Sequence, residues 1–312
     1  MSNEPGQSEI FSPKPPQPIQ GELPLGNMSE AIRVIELGKP ADTAELLTDI
    51  DVLFYGETHT DYAIADYLLS QVAAFKTAGV TSFGFEINPD PINQEIFDEI
   101  NSGKLDRLPE IDWSLGFGNP TVRQTKQRMV EELVKAGIKV YPFANWSAQE
   151  NIQTEPYTEE SEKKAAEIIG IQTEKGKTVV LVGSRHADYT EKLKFKQFPH
   201  TADCVKALRK NSKSLTFAGG MPNPGDYDRS PEAKLRAGAN EKVQVPTFID
   251  TSEIQVQGYF GDGIIVLPVV PFLSARAEIP EERRSIGGFT PLTSVEPTTA
   301  LQEVRAEITS GN

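Results

Sequence analysis

Cysteine is almost absent: Cys204 is the single one in 312 residues. A lone thiol excludes an intramolecular disulfide framework and any cysteine-rich metal site. Its setting, ADCVKAL, reads as an ordinary helix and not as the electropositive surroundings of a reactive thiolate. Histidine is nearly as scarce, with three residues. Long apolar runs are missing, and no segment approaches the roughly 18 uninterrupted apolar residues that span a bilayer. Basic charge is short as well: 31 Lys and Arg stand against 45 Asp and Glu, a net charge of −14. Such a chain is repelled by nucleic-acid backbones and anionic membrane surfaces, and no local basic patch offsets this. The opening MSNEPGQSEIFSPKPPQPIQG has neither the basic n-region nor the apolar h-region of a signal peptide, so a cytoplasmic location is expected. No P-loop, Gly-x-Gly-x-x-Gly fingerprint or Gly-x-Ser-x-Gly elbow is found.

The 23 prolines and 24 glycines concentrate the irregular stretches. Residues 1–27 are rich in Pro, Gln, Ser and Glu and bury too little apolar area to offset ordering entropy, so they read as a disordered arm. Residues 278–312 mix Pro, Gly and charge and read as a loosely packed tail, with a short helix at Thr299–Ile308. Between them, residues 28–277 read as one domain. Apolar runs at Ile50–Tyr55, Ser82–Ile87, Ile138–Ala144 and Thr178–Gly183 are buried strands. They alternate with helical patterns at Asp61–Lys76, Pro91–Ile100, Val122–Ala136 and Thr158–Lys175. Strand–helix alternation at this spacing predicts an α/β fold, a mostly parallel sheet with helices on both faces. A helix at Thr201–Arg209 and a strand at Ser214–Ala218 follow. Val243–Ile249, Glu253–Phe260 and Ile264–Val270 read as added antiparallel strands, the last two a hairpin through Gly261-Asp262-Gly263.

Ligands of parallel α/β sheets bind beyond the carboxyl ends of the strands, and three core strands here end in chemistry. The first runs into Gly56-Glu57-Thr58-His59, the second ends at Glu86, and the strongest ends in Gly183-Ser184-Arg185-His186. GETHTDY (56–62) and GSRHADY (183–189) share the frame G-x-x-H-x-D-Y, which reads as two half-sites of the same strand–turn–helix geometry. A glycine at each strand exit allows a sharp turn, and the neutral imidazole beyond it can take a metal or a proton. Glu57 and Glu86 can complete a His/Glu metal shell, or orient and charge-stabilise an imidazolium in a metal-free centre. Both versions activate water. Glu86 lies in an otherwise apolar strand, so a partner is required. Asp61 and Asp188 are either carboxylates behind the histidines or N-caps of the helices that follow. Tyr62 and Tyr189 either face the pocket or pack in the core. Arg185 reads as solvent-facing, and His200 carries no assigned role.

The stretch VLFYGETHTDYAIADYLLSQVAAFKTAGVTSFGFEI resembles the opening of the ChaN-like, haem-binding uptake and Tiki superfamily, which also embraces erythromycin-esterase-like and TraB-type proteins. The likeness rests on Gly56, Glu57, His59, Glu86, Gly183 and His186, and on Ala144-Asn145 after a third strand; it covers about Ile50–Tyr189. It implies an α/β fold and one of several activities. The Tiki branch implies a divalent-metal peptidase, with His59, Glu86 and His186 on the cation and Glu57 accepting a proton. The esterase branch implies lactone hydrolysis by Glu and His. The ChaN branch implies haem or iron binding without turnover, with Tyr62 or Tyr189 as axial ligand. No lipobox cysteine stands near the start, unlike lipid-anchored ChaN proteins, and the Glu–His spacing of two residues is nearer to ChaN and Tiki than to the esterases. The expectation is a metal-assisted or Glu/His-dependent hydrolase acting on a small-molecule or peptide ester or amide, with haem or iron binding as the alternative. Neither the substrate nor the oligomeric state is readable.

Overall fold

A computed structural model describes residues 22–59, 61–111, 113, 120–144, 158–192, 199–208, 211–219, 234–235, 238–239, 242–252 and 255–268. The elements run β1 (Glu22–Leu23), α1 (Met28–Glu36), β2 (Lys39–Pro40), α2 (Thr43–Leu46), β3 (Val52–Glu57), α3 (Tyr62–Ser70) and α4 (Val72–Thr77). Then come β4 (Val80–Phe85), α5 (Pro91–Asn101), a 3₁₀ helix at Leu105–Glu110, α6 (Pro120–Lys135), β5 (Lys139–Pro142), α7 (Glu159–Thr173) and β6 (Lys177–Gly183). The rest are α8 (Ser184–Ala187), a 3₁₀ turn at Thr190–Lys192, α9 (Thr201–Leu208), β7 (Ser212–Gly219), β8 (Thr247–Asp250), β9 (Gln255–Val256) and β10 (Gly263–Leu267).

The expected α/β architecture is present. An eight-stranded sheet has the order β2-β8-β10-β7-β3-β6-β4-β5. From β10 to β5 every neighbouring pair is parallel, and β8 alone is reversed, pairing antiparallel with both β10 and β2. Each central strand buries side chains on both faces, which is why the runs are continuously apolar and not alternating. Leu53, Tyr55, Phe83 and Phe85 pack with residues of α3–α6 on one face. Val52, Phe54, Val180 and Val182 pack with residues of α7 and α9 on the other. Among the described residues no helix is long and apolar enough to cross a membrane.

Four expectations are corrected. The C-terminal hairpin is not formed by Glu253–Phe260 and Ile264–Val270. Strand β10 pairs antiparallel with β8 and parallel with β7, while β9 joins β1 in a separate two-stranded sheet. Gly258, at φ 83°, turns the chain away from β9 in a conformation few side chains adopt, and GIIVL is buried throughout, as an interior strand must be. The strand expected at Val243–Ile249 begins only at Thr247; Val243 N–H closes a helical turn onto Ala239 O, and Pro246 has no N–H to give a ladder. The N-terminal arm gives way earlier than residue 27, since Leu23 and Leu25 are buried in a cluster with Val34 and Val256. The helix expected at Asp61–Lys76 divides at Gln71, whose N–H tightens onto Leu68 O three residues back. The expected tail and its helix at Thr299–Ile308 lie outside the described residues, as does Asn145.

Candidate active site

Strand β3 ends at the sheet's centre, between β6 and β7. Its alternation sends Val52, Phe54 and Gly56 to one face and Leu53, Tyr55 and Glu57 to the other, so Glu57 faces α6. There Lys126 Nζ donates to Glu57 Oε1 at 2.5 Å, both side chains being almost fully buried (7 % and 2 % exposed). Beyond the strand, Asp61 N–H closes a turn on Thr58 O at 2.9 Å, and this turn carries His59. Its Nδ1 lies 3.0 Å from the same Glu57 Oε1, and its Nε2 lies 3.7 Å from Glu86 Oε2. The second distance is close enough for charge to act but too long for a direct hydrogen bond. His59 is the most open of the three, with 18 % of its side chain exposed.

Glu86 follows β4 and meets the requirement for a partner through the backbone: Gly183 N–H donates to its Oε2. Gly183 thereby lines the centre. A Cβ there would stand 3.1 Å from His59 Nε2 and 3.4 Å from Glu86 Oε2. A Cβ on Gly56 would stand 2.9 Å from Ser184 Cα and 3.0 Å from Ala187 Cβ, so this glycine lets α8 sit directly on β3. Neither residue has positive φ. Their glycine character serves close approach, not the sharp turn expected from sequence.

The two G-x-x-H-x-D-Y frames do not fold alike. Strands β3 and β6 are neighbours in a register that sets Glu57, not Gly56, opposite Gly183. His59 sits in a turn before α3, and Asp61 is the N-cap of that helix, accepting from Ala63 N–H at 2.9 Å. His186 lies inside α8, and Asp188 is the C-cap. The structure thus brings Glu57, His59 and Glu86 together and gives His186 another carboxylate: Nδ1 lies 2.7 Å from Glu162 Oε1, with 4 % and 1 % of the side chains exposed. Glu162 Oε2 in turn accepts from Thr201 Oγ1. His200 is buried against this group, its ring 6.5 Å from that of His186, with Nδ1 3.2 Å from Asp188 O. Each site histidine therefore has its Nδ1 on a glutamate. Glu57 was evident beside His59; Glu162, Lys126, Thr201 and His200 were not identified from sequence.

Electrostatics assign roles. Burial alone would raise the Glu57 carboxyl, but the Lys126 charge, with the hydrogen bond and charge of His59, outweighs it and holds the group at about 2. A carboxylate that acidic is a poor proton acceptor. Burial alone would lower the His59 imidazole; the hydrogen bond and charge of Glu57 and the charge of Glu86 prevail against it and against Lys126, and move it upward from 6.5. His59 is the more basic for its neighbours.

The donor set does not fit a resident divalent ion. Glu57 and Glu86 flank opposite ring nitrogens of His59, so one ion cannot take both carboxylates together with that imidazole. Among the described residues no three His, Cys, Asp or Glu side chains are placed to hold a metal. Nor does Tyr189 fit an axial haem ligand. It is 1 % exposed, its hydroxyl donates to Asp262 Oδ2 at 2.7 Å, and burial together with the Asp262 charge pushes it further from the phenolate such a ligand requires. Tyr62 opens α3 and is 3 % exposed. Arg185 is exposed, as expected.

No family model and no curated protein matches the chain. Several solved structures do. A Bacillus cereus protein shares 12 % identity at a TM-score of 0.49, covering 78 % of this chain and 98 % of its own. The type III effector HopBA1 shares 12 % at 0.45, covering 74 % and 95 %. The haem-binding ChaN of Campylobacter jejuni shares 11 % at 0.39, covering 72 % and 89 %. These likenesses are distant and concern the fold alone.

Proposed function

We propose that the protein is a metal-independent hydrolase of esters or amides in which His59 is the general base. The observation behind this reading is an imidazole set between two carboxylates at the carboxyl edge of a parallel sheet, Nδ1 3.0 Å from Glu57 and Nε2 3.7 Å from Glu86, and partly open to solvent. Glu57 fixes the tautomer with the proton on Nδ1, which leaves Nε2 as the basic atom. A water within 3 Å of Nε2 is within reach of Glu86 as well. Nε2 takes a proton from that water while its oxygen bonds to the substrate carbonyl carbon. The C–O or C–N bond then breaks, and the imidazolium returns the proton to the leaving group. Glu57 and Glu86 stabilise the imidazolium between the two steps.

The test is His59→Asn, close in shape and without a basic nitrogen, assayed on a panel of generic esters and peptides. General acid–base catalysis contributes about 10²–10⁴-fold, so turnover should fall by that range with the urea midpoint little changed. A folded His59→Asn protein that retains turnover would sink the proposal.

A further inference from the structure

We infer that Lys126 is a positioning residue of this centre: its ammonium stands in for a proton on the Glu57–His59 pair, so that the pair keeps a single proton, on Nδ1, and Nε2 stays bare. The inference deepens the proposed reaction and rests on it for its use, but the placing of that proton can be read without a substrate.

Three observations carry it. The first is a shared atom. Lys126 Nζ donates to Glu57 Oε1, the same oxygen that lies 3.0 Å from His59 Nδ1, while Oε2 has no hydrogen-bond partner among the described residues. The ammonium therefore acts on the one oxygen that meets the ring. The second is burial. Lys126 lies on the inward face of α6 with Val122, Met129 and Leu133, and only 7 % of its side chain and 2 % of that of Glu57 are exposed. A buried carboxylate with no opposite charge recovers neutrality by holding a proton. The third is the other side of the ring. Nε2 faces Glu86 Oε2 at 3.7 Å, so a proton arriving on Nε2 has an anion beside it.

Loss of the lysine charge leads to one result by two routes. If the replacing proton settles on the ring, His59 becomes an imidazolium with both nitrogens protonated. If it settles on Glu57, the new hydroxyl donates to Nδ1, and the ring carries its own proton on Nε2. In both, Nε2 has no free lone pair. The sign follows from the groups that act on the ring. Burial and the Lys126 charge from α6 pull the imidazole down, whereas Glu57 of β3 and Glu86 beyond β4 pull it up. From β6 the Gly183 N–H goes to Glu86, and on α8 His186 turns its Nδ1 to Glu162. Without Lys126 only burial opposes the two carboxylates, so the proton is held to higher pH.

The test reads the ring directly, by ¹⁵N–¹H NMR of the full chain between pH 5 and 10. With three histidines in the sequence, the His59 signals are those lost in His59→Asn. Wild type should show a neutral ring with its proton on Nδ1. In Lys126→Met, unbranched and uncharged, the His59 midpoint should rise by about one pH unit or more, or the neutral ring should carry its proton on Nε2. Lys126→Arg, which keeps the charge, should stay near wild type. Where turnover is measurable, the acid limb of kcat for Lys126→Met should move up with the midpoint. The inference is overturned if folded Lys126→Met keeps the wild-type midpoint and tautomer, or if folded Lys126→Arg changes as much as Lys126→Met. Should Lys126→Met not fold, the wild-type ring still decides: a neutral form with the proton on Nε2 refutes the inference, and one with it on Nδ1 supports it. The expected NMR changes in a protein without hydrolase activity would support this inference and count against the reaction; turnover lost in His59→Asn, with no NMR change in Lys126→Met, would do the reverse.

Discussion

Removing Glu162 should be among the costliest single changes in the molecule. Its carboxylate is 1 % exposed and serves two buried groups, accepting from Thr201 Oγ1 and lying 2.7 Å from His186 Nδ1. Glu162→Ala leaves the Thr201 hydroxyl, which is wholly buried, and the His186 N–H without their acceptor. A buried donor stripped of its partner costs about 1–3 kcal/mol, and bonds to a charged acceptor lie toward the upper end. Two such losses give a total of about 3–5 kcal/mol, the range measured when one member of a buried pair is removed. Glu162→Gln keeps the shape. Its carbonyl can still accept from His186, and its amide can donate to the Thr201 oxygen, so the expected cost is about 1–2 kcal/mol. The assay is equilibrium urea unfolding, with Thr201→Ala completing a cycle. Because Glu162→Ala already strands Thr201, the double variant should be less destabilised than the sum of the singles, by about 1 kcal/mol or more. A cost below 1 kcal/mol for Glu162→Ala, equal costs for Ala and Gln, or strict additivity would refute the reasoning.

Stability should report the Glu57 centre through pH. Glu57, held at about 2 against an ordinary 4.5, contributes about 3 kcal/mol at roughly 1.4 kcal/mol per pH unit. A depressed carboxyl stabilises above 4.5 and loses that contribution as pH falls toward 2. Wild type should therefore lose about 3 kcal/mol between pH 5 and 2 that Glu57→Gln does not lose, read as the difference between their urea curves. His59, raised above 6.5, has the opposite sign: its contribution is present below 6.5 and is lost as pH rises through its folded value. Since the base must be neutral to act, the acid limb of turnover should lie above pH 6.5. The two glycines should separate fold from function. Gly56→Ala presses a methyl onto the Ser184 backbone at 2.9 Å and should cost about 1–3 kcal/mol of stability. Gly183→Ala meets the movable His59 ring at 3.1 Å and should reduce turnover more than it reduces stability.

The sheet was legible because its strands obey one rule. IDVLFY, SFGFEI and TVVLVG are apolar on both faces, as strands buried between helical layers must be. The additions at the sheet's edge obeyed none so clear. The edge strand β2, Lys39–Pro40, is two residues long, and β9, in the separate two-stranded sheet, is equally short. The missed helix α1 did carry a signal: Asn27 and Glu30 form a capping box before the apolar positions Ala31, Val34 and Ile35. Composition argued for an arm through residue 27, and composition does not register two buried leucines, Leu23 and Leu25.

At the site, what sequence conveyed was the end of each strand, and what it withheld was the partner of each charge. Glu162 stands in EESEKK beside Glu159 and Glu160 in the first turn of α7. Acids there complement the helix dipole wherever they point, so the run reads as a solvated helix start, and no local feature marks which glutamate turns inward. Lys126 is different. In PTVRQTKQRMVEEL the buried positions are Val122, Thr125, Lys126, Met129, Val130 and Leu133, a spacing of 3, 1, 3, 1 and 3 that places the lysine in the apolar stripe and not beside it. A cation in that stripe requires a buried anion. Only a few acids interrupt the apolar strands, and Glu57 at the end of β3 is one that a helix packed on that face can reach. The pairing was thus implied by two anomalies in separate segments, each unsatisfied alone, and the fold is what makes them one.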